Sequence, residues 1–188
     1  MKRIAIFASG SGSNAENIMQ YFLDNENIRV ELILTNNAHA KVIQRAAKFD
    51  VPVMVFNREE FYGSEIVLTK LKRYKIDLVV LAGFMWLVPE YLINEFPKNI
   101  INIHPALLPK YGGKGMYGDY VHQKVSAAQE TESGITIHYV NDKYDEGDVI
   151  FQKSTNIEAG EHPESIAEKI HALEYENYPN VINDILSK

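Results

Sequence analysis

Short apolar runs alternate with stretches of helical period through the first hundred residues, the pattern of a parallel sheet whose buried strands are joined by helical crossovers. Ile4-Ala5-Ile6-Phe7-Ala8 predicts the first strand and residues 15–23 the first helix. Residues 30–34, the run Val53-Met54-Val55-Phe56, the run Leu78-Val79-Val80-Leu81 and residues 100–103 predict four more strands. Helical spacing fills the intervals at 41–49 and 59–74. Pro89, a residue suited to a first helical turn, begins a short helix before the fifth strand.

The texture changes after Pro105. Residues 109–118 carry glycines at 112, 113, 115 and 118 with little apolar content, which predicts a mobile surface loop. A helix at 119–128 follows, then Ile135-Thr136-Ile137-His138-Tyr139-Val140 with strand alternation, a polar loop at 141–148 and the strand Val149-Ile150-Phe151. A closing helix spans 163–186, with Ile166, Ile170, Leu173, Val181 and Ile185 near helical spacing. No repeat or low-complexity linker interrupts the pattern. With 188 residues and 46% hydrophobic content, one α/β domain over 1–188 is expected.

Nineteen lysines and arginines against 25 aspartates and glutamates give a formal charge of −6. This balance disfavours a nucleic-acid partner, because phosphate binding draws on clustered basic charge. The densest basic run, Lys70-Leu71-Lys72-Arg73, reads as a solvated helix face. The chain has no cysteine, which excludes disulfides, thiolate zinc sites and cysteine nucleophiles. No metal-binding spacing occurs among the six histidines, so no metal is expected. No run approaches about 20 apolar residues, and no signal-peptide pattern precedes Ile4, so no membrane contact and a cytoplasmic location are expected.

Three constellations bear chemistry. Ser9-Gly10-Ser11-Gly12-Ser13-Asn14-Ala15 joins the first strand to a helix, where glycines allow close backbone approach and free amides favour an anion. It reads as a phosphate site, as a dinucleotide turn or as an ordinary capped turn. The dinucleotide form needs an acidic residue after the second strand, and Thr35-Asn36-Asn37 stands there. In Asn102-Ile103-His104-Pro105, strand period puts Asn102 and His104 on one face. An amide beside an imidazole can stabilise an oxyanion and move a proton; it can also merely cap a strand end. Asp142-Lys143-Tyr144-Asp145-Glu146-Gly147-Asp148 is a charged turn or the source of a carboxylate that pairs with His104.

Taken in order, Gly10-Ser11-Gly12-Ser13-Asn14, Leu81-Ala82-Gly83-Phe84-Met85, Ile101-Asn102-Ile103-His104-Pro105, Leu107-Leu108-Pro109-Lys110-Tyr111, Gly134-Ile135-Thr136-Ile137-His138-Tyr139-Val140 and Asp145-Glu146-Gly147 cover nearly the whole chain. Together they resemble the phosphoribosylglycinamide formyltransferases, a folate-dependent family. The Asn-x-His-Pro and late Asp pattern marks the wider superfamily, and the glycine loop, chain length and His171-Ala172-Leu173-Glu174 narrow it.

The resemblance implies a three-layer fold, Rossmann-like, with a mainly parallel seven-stranded sheet and helices on both faces. It implies that Asn102, His104 and Asp145 are catalytic, and that Gly12, Ser13 and Asn14 hold the phosphate of 5-phosphoribosylglycinamide, with His171, Ala172, Leu173 and Glu174 at its other end. Arg58, Met85, Trp86, Leu87, Val88, Val140, Asn141, Asp142, Lys143 and Tyr144, together with Asn102, would contact 10-formyltetrahydrofolate as a consumed co-substrate. Met85 to Val88 also read as core leading into a helix, and His171 and Glu174 as a helix surface. Trp86 and Lys114-Gly115-Met116-Tyr117 depart from the family pattern, which often has a smaller or polar residue at the first and a histidine at the second.

The implied partners are these two small molecules, with the protein a monomer or weak homodimer. The rivals within the superfamily act on initiator methionyl-tRNA, on formyltetrahydrofolate by hydrolysis, or on sugar nucleotides. The first needs an RNA-binding extension, and the second usually carries an added N-terminal domain. A non-catalytic nucleotide-binding module is the rival from another class, and the missing acidic residue after the second strand argues against its dinucleotide form.

Overall fold

The computed structural model describes residues 1–188. Seven strands form one sheet: β1 (Lys2–Phe7), β2 (Ile28–Thr35), β3 (Val53–Val55), β4 (Leu78–Leu81), β5 (Ile100–His104), β6 (Glu132–Tyr139) and β7 (Val149–Asn156). Their order is β3-β2-β1-β4-β5-β6-β7. The first five pair in parallel, and β6 runs antiparallel to both β5 and β7. The chain leaves β1 toward β2 on one side and reaches β4 on the other, so the β1/β4 seam is the switch point at whose carboxyl end such sheets bind ligands.

Six helices connect the strands and a seventh follows the last: α1 (Ser13–Tyr21), α2 (Val42–Ala47), α3 (Arg58–Tyr62), α4 (Ile66–Arg73), α5 (Glu90–Glu95), α6 (Asp119–Ala127) and α7 (Pro163–Leu186). Alternate residues of β1 enter two separate cores, as the two-residue strand period requires. Ile4, Ile6 and Ala8 pack with Ile18 of α1, Val42 of α2, Val121 of α6 and Ile170 of α7. Ala5 and Phe7 pack with Phe61 of α3, Leu71 of α4 and Leu92 of α5.

The single helix expected over 59–74 is two. Asn57 caps α3 reciprocally with Glu60, and the turn ends at Gly63, whose N–H bonds the Glu59 carbonyl at 2.8 Å. Ser64 Oγ then bonds the Glu60 carbonyl at 2.9 Å, so a local side chain competes with helix continuation. Strand β7 runs five residues past the expected end at Phe151, through Gln152-Lys153-Ser154-Thr155-Asn156. It is an edge strand, and its polar positions carry no apolar signal although each pairs with β6.

Helix α7 passes through Pro179, which has no N–H for the Tyr175 carbonyl four residues back. The side-chain amide of Asn17 in α1 donates to that carbonyl at 2.9 Å. One residue before the proline, the buried Tyr178 hydroxyl donates to the Leu81 carbonyl at 2.9 Å, which ties α7 to the end of β4.

Candidate active site

The carboxyl ends of β1, β4 and β5 open into a crevice of about 460 Å³. One end is the turn from β1 into α1. There Ser9 Oγ accepts the Met85 N–H at 3.1 Å, joining this turn to the one after β4. Gly12 has a φ of 70°, and a Cβ at this position would stand 2.5 Å from Cβ of Val42. Only glycine meets both demands. The first amides of α1 at Ser13 and Asn14 therefore border open space, where the positive end of the helix favours an anion.

Behind that turn, Asn14 Nδ2 donates to Glu174 Oε2 at 2.9 Å, and His171 Nδ1 approaches the same oxygen at 3.0 Å. Glu174 is 4% exposed, so its charge depends on these partners. The Glu174 hydrogen bond raises the His171 pKa against the opposing effect of burial. His122 of α6 also lines the crevice, with a buried Nδ1 that has no partner. Burial, and next His171, lower its pKa.

The crevice floor is β5 and β6. Antiparallel register places His138 opposite Asn102, and the β6–β7 loop returns Asp145 over both. His104 Nε2 lies 2.7 Å from the Tyr111 carbonyl. A carbonyl accepts only, so Nε2 carries a proton and Nδ1 faces Asp145 Oδ2 at 3.5 Å. By the same reasoning His138 Nδ1 donates to the Tyr139 carbonyl at 2.8 Å. In the neutral ring this leaves Nε2 to accept from Asn102 Nδ2 at 3.2 Å. Asn102 Nδ2 also reaches Asp145 Oδ1, but at 3.5 Å.

Burial is the largest influence on His104 and lowers its pKa, outweighing the Asp145 carboxylate and the Tyr111 carbonyl, which both favour the charged ring. The carboxylate anticipated from the sequence thus does sit beside the ring, yet the net shift is downward. Burial pushes the Asp145 carboxyl upward, but His138, His104 and the Gly113 amide together hold it below its ordinary value.

The structure gathers most of the sequence-predicted residues here. Gly12, Ser13, Asn14, His171, Glu174, Asn102, His104 and Asp145 line the crevice, as do Met85, Trp86, Leu87, Val88, Val140, Lys143 and Tyr144. Four others do not. Ala172 is exposed on the outer face of α7, and Leu173 packs against the larger core, because helical period turns them away from the side shared by His171 and Glu174. Asn141 Oδ1 accepts the Lys143 N–H at 3.0 Å and so shapes the loop, while Asp142 points to solvent. Arg58 stands beside the crevice rather than in its lining, its guanidinium 5.1 Å from the Tyr62 ring and 5.7 Å from the Trp86 ring.

His138, His122 and Tyr111 were absent from the sequence-based set. His138 carried a usable signal: it sits at a polar position in an alternating strand, two residues after Thr136. Tyr111 acts through its carbonyl, which no side-chain pattern reveals. No group of three or more His, Asp and Glu side chains is placed to hold a metal ion, and no helix is long and apolar enough to cross a membrane.

Comparison with known proteins bears on this geometry. Residues 2–182 match the formyl transferase family. The chain is 40% identical over 191 residues to the chloroplastic phosphoribosylglycinamide formyltransferase of Arabidopsis thaliana, covering 98% of this chain and 65% of that protein. It is 35% identical over 191 residues to phosphoribosylglycinamide formyltransferase of Bacillus subtilis, covering 99% of this chain and 95% of the relative. Among solved structures, phosphoribosylglycinamide formyltransferase from Bacillus halodurans superposes with a TM-score of 0.88 at 37% identity, covering 100% of this chain and 96% of the other. Glycinamide ribonucleotide transformylase 1 from Geobacillus kaustophilus gives 0.88 at 38% identity and 99% coverage of each chain.

Proposed function

Because the chain belongs to the formyl transferase family, we infer that it transfers the formyl group of 10-formyltetrahydrofolate to the glycine amine of 5-phosphoribosylglycinamide, yielding the N-formyl product and tetrahydrofolate in purine biosynthesis. The observation that carries this reading is the cluster of Asn102, His104, His138 and Asp145 on the floor of a crevice that ends at the amides of α1. Polar groups converge there between an anion-binding terminus and an apolar wall.

In this reading the ribonucleotide phosphate lies at Gly12, Ser13 and Asn14, with His171 and Glu174 toward the ribose. The folate ring lies against Met85, Trp86, Leu87, Val88 and Val140, near Lys143 and Tyr144, with Arg58 beside Trp86 at the outer rim. The substrate amine attacks the formyl carbon, forming a C–N bond and pushing the carbonyl electrons onto oxygen. Asn102 Nδ2 turns a hydrogen from its long 3.5 Å contact with Asp145 toward that oxygen, and protonated His104 adds a second stabilising group. Collapse breaks the bond to the folate nitrogen, which takes a proton, while the attacking amine gives one up. In this reading His104 passes that proton through Nδ1, the nitrogen that the Tyr111 carbonyl does not hold, and Asp145 orients its ring.

The architecture belongs to the same proposal: one formyltransferase domain over residues 1–188, three-layered, with α1, α2, α6 and α7 on one sheet face and α3 to α5 on the other. The two separate cores support it. A cytoplasmic monomer or weak homodimer that acts without nucleic acid fits the acidic balance and a site built from one chain.

The decisive experiment follows tetrahydrofolate formation spectrophotometrically, with and without glycinamide ribonucleotide. Product in the presence of both substrates is expected. Equal turnover without the ribonucleotide would turn the assignment toward hydrolysis.

A further inference from the structure

His104 is held by a chain of contacts that begins outside the crevice. Tyr111, whose carbonyl lies 2.7 Å from His104 Nε2, has a φ of 56°. A bulky residue adopts that left-handed backbone when its surroundings impose it. The Tyr111 hydroxyl donates to Glu130 Oε1 at 2.9 Å, and Lys110 Nζ reaches the same oxygen at 2.9 Å. Glu130 lies in the turn between α6 and β6 and does not line the crevice. Past Tyr111 the chain stays against the other member of the pair. A Cβ on Gly112 would stand 3.3 Å from Cβ of Asp145, and the Gly113 N–H donates to Asp145 Oδ2 at 2.9 Å. Residues 111–113 therefore touch both His104 and Asp145, and the Tyr111 ring tethers them to Glu130.

We propose that Glu130 is a positioning residue for formyl transfer: through the Tyr111 hydroxyl it holds the left-handed backbone at Tyr111, whose carbonyl fixes His104 Nε2 and turns Nδ1 toward Asp145. This rests on the reading of His104 as the group acting at the formyl centre. The titratable groups facing His104 are Asp145, His138 and, farther off, Glu174. Those facing Glu130 are Lys110 and Tyr111, whose hydrogen bonds hold its carboxyl below the ordinary value. The tether requires an acceptor oxygen for the hydroxyl rather than a negative charge.

The test compares Glu130→Ala, Tyr111→Phe, their double variant, Glu130→Gln and Lys110→Met by steady-state kinetics and by NMR titration of His104 without substrate. Glu130→Ala and Tyr111→Phe should each lower kcat by about threefold to tenfold, the scale of one hydrogen bond, with KM for the ribonucleotide unchanged. Both should move the His104 titration to lower pH, because a carbonyl that favours the charged ring is loosened. The double variant should lose no more than the worse single one, and Glu130→Gln should restore most of kcat. An unchanged His104 titration in folded Glu130→Ala overturns the proposal. So do losses that add in the double variant, or Lys110→Met matching Glu130→Ala, which would reduce the cluster to a surface ion pair. A wild-type protein with no formyl transfer would remove the functional reading, while the substrate-free titration still decides whether Glu130 acts on His104.

Discussion

Nδ1 of His104 stands 3.5 Å from Oδ2 of Asp145 while the opposite ring nitrogen is turned onto the Tyr111 carbonyl. Two opposed influences act on this ring: burial lowers its pKa, and the carboxylate raises it by less. Asp145→Asn removes the carboxylate charge and leaves burial, so the pKa falls further. The protonated fraction near neutral pH then drops and activity with it. Whichever limb of the pH–activity profile reports loss of the His104 proton moves in the acid direction. Ribonucleotide affinity, proposed to be set at the α1 terminus, should change little in calorimetry. An unchanged His104 titration in the folded variant would falsify the pairing.

Asn102 and His104 are proposed to act on the transition state, so His104→Ala and Asn102→Ala should each remove most turnover with the native fold retained. Loss of one oxyanion donor costs about 2.7–4 kcal/mol of barrier. His138→Ala should cost less than Asn102→Ala, because in that proposal His138 acts through its contact with the Asn102 amide. Purified variants compared by kcat under saturating substrate decide the order, and near-normal activity of Asn102→Ala excludes it from the mechanism.

What the sequence disclosed follows from the kind of signal each feature leaves. Buried parallel strands such as Leu78-Val79-Val80-Leu81 are legible because both faces are covered. The edge strand β7 is not, since backbone pairing alone continues it past Phe151. Asn102 and His104 were readable from strand period. The pairing of His138 with Asn102 depends on antiparallel register between segments 36 residues apart, which no local pattern encodes. Ala172 and Leu173 came with a four-residue motif of which helical geometry turns two toward the crevice. Arg58 lies close to the expected wall, but its charge is spread over Tyr62 and Trp86.

The anion site offers a cleaner separation of ligands. Ser13→Ala removes a hydroxyl at the α1 terminus without touching Asn14 or Glu174, so it should weaken ribonucleotide binding far more than folate binding. Gly12→Ala should be worse for both stability and ribonucleotide affinity, because its Cβ would enter the side chain of Val42 and the backbone there is left-handed. Calorimetric titration of each ligand checks both expectations. Equal weakening of the two ligands by Ser13→Ala would defeat the assignment of this end to phosphate.

Two asparagines of α1 hold it against α7. Asn14 and Asn17 lie three residues apart on one face of α1. The first reaches Glu174, and the second reaches the Tyr175 carbonyl that Pro179 cannot serve. Asn17→Ala should therefore cost about 0.5 kcal/mol of stability, the low end for one hydrogen bond, since this one is exposed to water. Pro179→Ala supplies a backbone N–H to the same carbonyl, so in that background Asn17→Ala should cost close to nothing. Whatever Pro179→Ala itself does to packing cancels in the comparison, which isolates the coupling between the two positions. Urea unfolding of the wild type, both single variants and the double variant measures it. An equal cost for Asn17→Ala in both backgrounds would mean that the amide does not stand in for the missing helical donor.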